Sequence, residues 1–274
     1  MTRHRLGLFI LASLAVVATH AADDSSAPLQ PTAKLAPDEI AKAAPPDRRS
    51  VPTPGELFMA LDKVAKPNWQ TEYRAPVSNA FTNRPQIALN LGGLIADGYL
   101  AIEAEDPQQV KNIGNDLVAL SRSLGVSENV LRRERSIEDL ADHNAWNELR
   151  EQLDAVGMEI KSTMESKRDE ELVILVTLGM WIRGIEIVSD WMVKNYSLEA
   201  AELLRQPAVA TFLQTQLDML PEKVRNDALI KTINDKLRVL AGQLSFPRGT
   251  IPTLPELKTI LETSHDLVQI ISKK

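Results

Sequence analysis

The stretch LVILVTLGMWIRGIEIVSDWMV, residues 172–193, sets the reading of the whole chain. Residues 172–182 carry no charge, and Arg183, Glu186 and Asp190 then enter without displacing the apolar residues between them. A surface helix needs only one apolar stripe, so a helix apolar on nearly every side must be enclosed by other helices. The stretch therefore predicts a central helix with an all-α fold around it. Gly179, Arg183, Glu186 and Asp190 are three or four residues apart, which lines them up along one face.

A second helix, residues 85–105, carries a matching device. Gly93-Leu-Ile-Ala-Asp97-Gly98 repeats Gly179-Met-Trp-Ile-Arg183-Gly184 at an offset of 86 residues, with Asp97 where the other has Arg183. Glycine inside a helix costs about 1 kcal/mol relative to alanine. Gly92, Gly93, Gly98, Gly179 and Gly184 on two apolar helices therefore imply a demand for space. Either the partner helix fills that space or a ligand does. With the helices in contact, Asp97 and Arg183 stand opposite each other and pair; otherwise each charge finds its own partner, Arg183 with Glu186 for example. The same offset lays the helix after Asp106 on residues 197–205, so the bundle reads as two pseudo-repeated hairpins about a central glycine-bearing pair.

Toward the N-terminus, Arg3 and Arg5 precede an apolar run over residues 6–18, and the small residues Thr19 and Ala21 follow. This is the layout of a secretory signal peptide over residues 1–22, cleaved after Ala21 or Ala22. As a retained anchor the run falls short of the ~20 apolar residues a spanning helix needs. No other segment qualifies as a span, since the central helix meets Arg183. Export, to a periplasm or out of the cell, is the expectation. Residues 23–52 hold Pro28, Pro31, Pro37, Pro45 and Pro46 among many alanines, and such a segment reads as a flexible leader. Residues 53–274 then form a single helical domain, and a 44% hydrophobic content suffices for a large core.

There is no cysteine, which excludes disulfides and thiolate chemistry. The formal charge of −6 becomes about −8 once Arg3 and Arg5 leave. That balance argues against nucleic acid or an anionic membrane as principal partner.

Within the domain, Thr53-Pro54-Gly55-Glu56, Asp106-Pro107 and Thr253-Leu-Pro-Glu256 read as helix starts, and Gly125 as a left-handed stop. Asn144 reads as a cap, and Ser166-Lys-Arg-Asp169 as a fresh start before the central helix, the alternative being one long helix through residues 165–171. Trp146, Leu149, Leu153, Val156, Ile160 and Met164 form an apolar stripe. Residues 66–83 lack a period and place Trp69, Tyr73 and Phe81 over the core, while residues 221–244 read as one helix. The sum is an antiparallel bundle of about eight to ten helices without strands.

Chemistry-bearing patterns are few. Beyond residue 22 the only histidines are His143 and His265. Glu262-Thr-Ser-His265 has the spacing of a di-metal carboxylate motif but no second copy, and Asp139 with His143 lies in a charged run, so no metal or cofactor is expected. No phosphate loop, dinucleotide fingerprint, nucleophile elbow or His-Glu-x-x-His occurs. Asp97, Glu186 and Asp190 are the carboxylates in apolar surroundings. Burial can make a general acid of such a group, while pairing with Arg183 accounts for all three without a reaction. No catalytic residue is assigned. Trp181, Trp191, Met158, Met164, Met180 and Met192 read as packing.

Three functional readings follow, in order. The first is an exported, soluble helical protein acting by interaction, as scaffold, adaptor or assembly factor, with an unidentified protein partner and no catalysis. The second is a periplasmic carrier that holds a small apolar or weakly acidic ligand among Gly93, Gly98, Gly179 and Gly184, with Asp97, Arg183, Glu186 and Asp190 at hand. The third is an enzyme using the buried carboxylates. A carrier needs a pocket of a few hundred Å³ beside those glycines. An enzyme needs two of the carboxylates in one cleft, and an interaction protein needs an exposed apolar patch.

Overall fold

A computed structural model describes residues 51–78 and 80–273. The expected signal peptide, and the leader up to residue 50, lie outside the described residues. Along the chain come α1 (Pro54–Val64), a 3-10 turn (Trp69–Glu72), α2 (Arg84–Glu103), α3 (Pro107–Leu124), α4 (Ser127–Asp142), α5 (Trp146–Ser166) and α6 (Glu170–Asn195). They are followed by α7 (Leu198–Leu204), α8 (Pro207–Asp218), the single turn α9 (Glu222–Arg225), α10 (Ala228–Gln243) and α11 (Leu254–Ser272). Among the described residues there is no strand, and ten helices longer than one turn pack together.

The boundaries follow local chemistry. Thr53 and Thr253 form reciprocal capping boxes with Glu56 and Glu256, and the Asp106 carboxylate accepts from the Gln109 N–H at 2.9 Å. Gly125 ends α3 at φ 72°. Three boundaries depart from expectation. Asn144 caps nothing; it turns the chain at φ 54°, and α5 starts without a side-chain cap. The Ser166–Asp169 box does not form: Arg168 bends the chain at φ 61°, and Asp169 instead receives Arg84 Nη2 from α2 at 2.7 Å. Residues 221–244 are two elements, because the Asp227 side chain accepts from the Leu229 N–H and opens α10 anew.

Helices α2 to α6 are joined by connections of two or three residues, so direction reverses at each step. Four reversals leave α6 running the same way as α2. Arg84 accordingly meets Asp169 near the starts of both, and Asp97 meets Arg183 further along. The central pair is thus parallel inside a bundle that is otherwise antiparallel between neighbours. α11 returns against both, its C-terminal end beside α2 and its middle beside Glu186. The Asn90 and Gln86 amides donate to the Ile271 carbonyl at 2.8 and 3.0 Å, satisfying an acceptor that a helix end leaves free.

The two central helices touch backbone to backbone. A Cβ on Gly92 would lie 2.0 Å from the Val176 carbonyl oxygen, and one on Gly179 would lie 2.0 Å from that of Leu89. α6 is long and apolar enough to cross a bilayer, with a mean hydropathy of 1.8 over its most apolar window, so Arg183 does not disqualify it. That window is wholly buried inside the bundle. Val51, read as leader, belongs to the core. Met158 is 65% exposed rather than packed, since it stands two residues from both Val156 and Ile160 and so faces away from their stripe.

Candidate functional site

Four segments bring polar side chains into the centre: the chain around residues 72–74, α2, α6 and α11. Arg183 lies at their meeting point with a side chain only 5% exposed. Its Nε donates to Asp97 Oδ1 at 2.8 Å, its Nη1 to Glu186 Oε2 at 2.7 Å, and its Nη2 to the Glu72 carbonyl at 2.8 Å. Burial works against this charge, but Asp97 and Glu186 outweigh it and hold the guanidinium above its ordinary pKa. The second oxygen of Asp97 accepts from Arg74 Nε at 2.8 Å and Nη2 at 2.5 Å. The second oxygen of Glu186 meets His265 Nδ1 at 2.8 Å. Charges therefore alternate as Arg74, Asp97, Arg183 and Glu186, and the His265 ring closes the row.

One turn further along α6, Asp190 belongs to a separate group. Lys194 Nζ donates to Asp190 Oδ2 at 2.7 Å and to Glu72 Oε1 at 3.0 Å, which brings the Glu72 and Asp190 carboxyls together on one ammonium. Burial, reinforced by Asp190, raises the Glu72 pKa. Burial also opposes charge on Asp190, yet the Glu72 carboxyl and Lys194 bring it below its usual value. Because the folded protein holds the Glu72 proton more tightly than the unfolded chain does, this group favours folding fully below pH 4.5. Its contribution is lost as pH rises through the raised value. Glu72→Gln is expected to flatten that loss, so Tm measured from pH 4.5 upward falls less steeply in the variant. Parallel curves would refute the assignment.

The predicted site residues thus divide. Asp97, Arg183 and Glu186 come together as an ion cluster, Asp190 stands beside it with Lys194, and the glycines do not enclose a common gap. Gly179 faces the Leu89 backbone; a Cβ on Gly93 would meet Arg74 Nη2 at 3.1 Å, one on Gly98 would meet Leu153 at 3.1 Å, and one on Gly184 would meet Leu57 at 3.5 Å. The space beside each is already filled, so among the described residues these glycines leave no gap of the kind the carrier reading requires. Gly92, named for its demand for space but not among the ligand-site residues, supplies the second half of the close approach. Glu72, Arg74 and His265 also went unpredicted. Lys194 alone had a signal, its spacing of four from Asp190.

The carboxylates of the cluster are closed off by their partners. Asp97 accepts three bonds and Glu186 two, and their side chains are 10% and 7% exposed. His265 is held by Glu186 with its side chain 56% exposed, and among the described residues no hydroxyl or amine hydrogen-bonds to it. His143 Nδ1 bonds the Asp139 backbone carbonyl at 2.7 Å rather than its carboxylate. Among the described residues no three side chains are grouped to hold a metal ion.

Of the concavities at the surface, one adjoins the cluster and another lies at the far end of α10. A cleft of about 160 Å³ lies between residues 73–77 and one side of α2 and α3, with Arg74 and Asp97 in its wall. A wider groove of about 580 Å³ runs between the end of α10, the loop 245–253 and the start of α11. No known family, curated protein or solved structure matches the chain.

Proposed function

We propose that this is an exported helical protein that acts by interaction, taking a short apolar segment of a partner protein into the groove between α10 and α11. The observation that carries the reading is the groove itself. Val239, Phe246, Pro247, Pro252, Pro255 and Ile260 line it, and Val239 is 56% exposed, with Leu254 nearby in sequence at 40%. Three prolines in the walls remove backbone N–H donors, so recognition rests on side-chain burial rather than on strand pairing. A stable dimer needs roughly 800 Å² from each partner, which a concavity walled by eleven residues does not supply. A short segment fits it better than a second copy does. The central ion cluster, saturated by its own members, supports a structural role for the carboxylates and leaves the surface to carry the activity. The N-terminal layout supports export.

The test places a photo-crosslinking side chain at Thr259 on the groove wall, and in a second protein at Met158 on the outer face of α5. The expected result is a discrete adduct from Thr259 that maps to one apolar segment of the partner and is lost on Val239→Glu, with none from Met158. An adduct that survives Val239→Glu, equal labelling from both positions, an adduct with a second copy of this chain, or no adduct would each overturn the reading.

A further inference from the structure

We infer that the cleft beside Asp97 is a second, independent site, which binds a small organic cation: a primary amine with a compact apolar body, received by Asp116. Its walls are mixed. Pro76, Val77, Leu94 and Ile113 supply apolar surface, and Asp116 and Arg74 bring charge. The positive charge of Arg74 is already answered, because both its Nε and Nη2 bond Asp97. Arg74 and Arg183 together balance Asp97 and Glu186, so the charge left over in the cleft is that of Asp116.

Asp116 has no hydrogen-bond or ion-pair partner among the described residues, although burial is enough to raise its pKa. The neighbouring amides do not serve it: Asn112 Nδ2 donates to Gln109 Oε1 at 3.3 Å, and Asn112 Oδ1 accepts from Gln108 at 3.0 Å. A carboxylate partly withdrawn from water and left without a partner presents an unanswered negative charge, and an ammonium group seated in the cleft answers it. The volume sets the size of the ligand. A cavity of about 150 Å³ accommodates a benzene ring, so the 160 Å³ here suits a ligand of that order with one charged substituent. The segment at residues 73–77 forms one wall and is anchored at its start, by Tyr73 Oη donating to Asp106 at 3.4 Å and by Arg74 on Asp97.

The test uses benzylammonium, with benzyl alcohol and benzoate as neutral and anionic counterparts of the same shape. Binding is followed by methyl NMR on the full chain. The expected result is saturable shifts at Val77, Leu94 and Ile113 with benzylammonium, affinity at least tenfold weaker for benzyl alcohol, and no shifts with benzoate. Asp116→Asn is expected to lower the amine to the alcohol's affinity, and acidification that protonates Asp116 to do the same in the native protein. The native titration keeps the test open should the variant fold poorly. Equal binding of amine and alcohol, full affinity in Asp116→Asn, shifts confined to other parts of the protein, or no shifts with any probe would overturn the proposal. None of these outcomes bears on the groove between α10 and α11.

Discussion

Gly179→Ala is expected to destabilise the protein by about 3 kcal/mol or more, at the upper end of what overpacking costs, and to lower Tm by roughly 6–12 °C for a domain of this size. The added methyl carbon would lie 2.0 Å from the Leu89 carbonyl oxygen, which belongs to the backbone of the facing helix. A side chain can swing away from such a clash, but a carbonyl inside α2 moves only if the helix moves. The central pair would therefore have to separate along its length, loosening contacts from Leu89 to Met180 together. Gly92→Ala should behave alike, since its Cβ meets the Val176 carbonyl at the same 2.0 Å. Gly157→Ala is the control. Nothing lies within 4 Å of a Cβ at that position, so replacing a helical glycine there should stabilise by up to about 1 kcal/mol. Urea unfolding of the three variants provides the measurement. A Gly179→Ala protein within 1 kcal/mol of the native chain would mean that the central helices are not in backbone contact.

That pair of glycines also marks where sequence reading stops. Aligning Gly93 with Gly179 gave the relative height of the two helices correctly, because Asp97 and Arg183 do meet. It did not give their rotation. One residue along a helix turns the face by about 100°, so the true contact falls on Gly92, while Gly93 is left to accommodate Arg74. The all-round apolarity of residues 172–182 made the enclosed helix legible, and Thr53, Asp106, Gly125 and Thr253 made the helix ends legible, since both are local properties. Counting short connections also contains the parallel direction of the central pair, once each connection is taken as a reversal.

The ion cluster was only partly visible for a different reason. Asp97, Arg183 and Glu186 sit on periodic apolar helices, where any charge stands out. Glu72 and Arg74 sit in an aperiodic stretch, where a charge resembles ordinary solvated loop. His265 is 79 residues from Glu186 in sequence, and no spacing rule reaches across that distance. The helix that follows α2 runs 18 residues, whereas the one that follows α6 runs 7.

Arg183→Met is expected to cost about 3–5 kcal/mol, the range for removing one partner from a buried ion pair. Methionine nearly matches the volume, so the loss is electrostatic. Asp97 would keep Arg74 and Glu186 would keep His265, but each would lose its bond to the central guanidinium, and the Glu72 carbonyl would lose its donor. Arg183→Lys restores the charge without the planar fork. A single ammonium cannot reproduce three bonds in three directions, so this variant should recover only part of the stability. The diagnostic comparison is Arg183→Met with Glu186→Gln: removing both members of a pair leaves less uncompensated charge than removing one, so the double variant should be more stable than Arg183→Met alone. If the double variant is instead less stable by the sum of the two single effects, Arg183 and Glu186 act independently. If Arg183→Met costs under 1 kcal/mol, the cluster is not what ties the segment around residues 72–74 to α2 and α6. Either result would return the carboxylates to consideration as groups held in place for chemistry rather than for the fold.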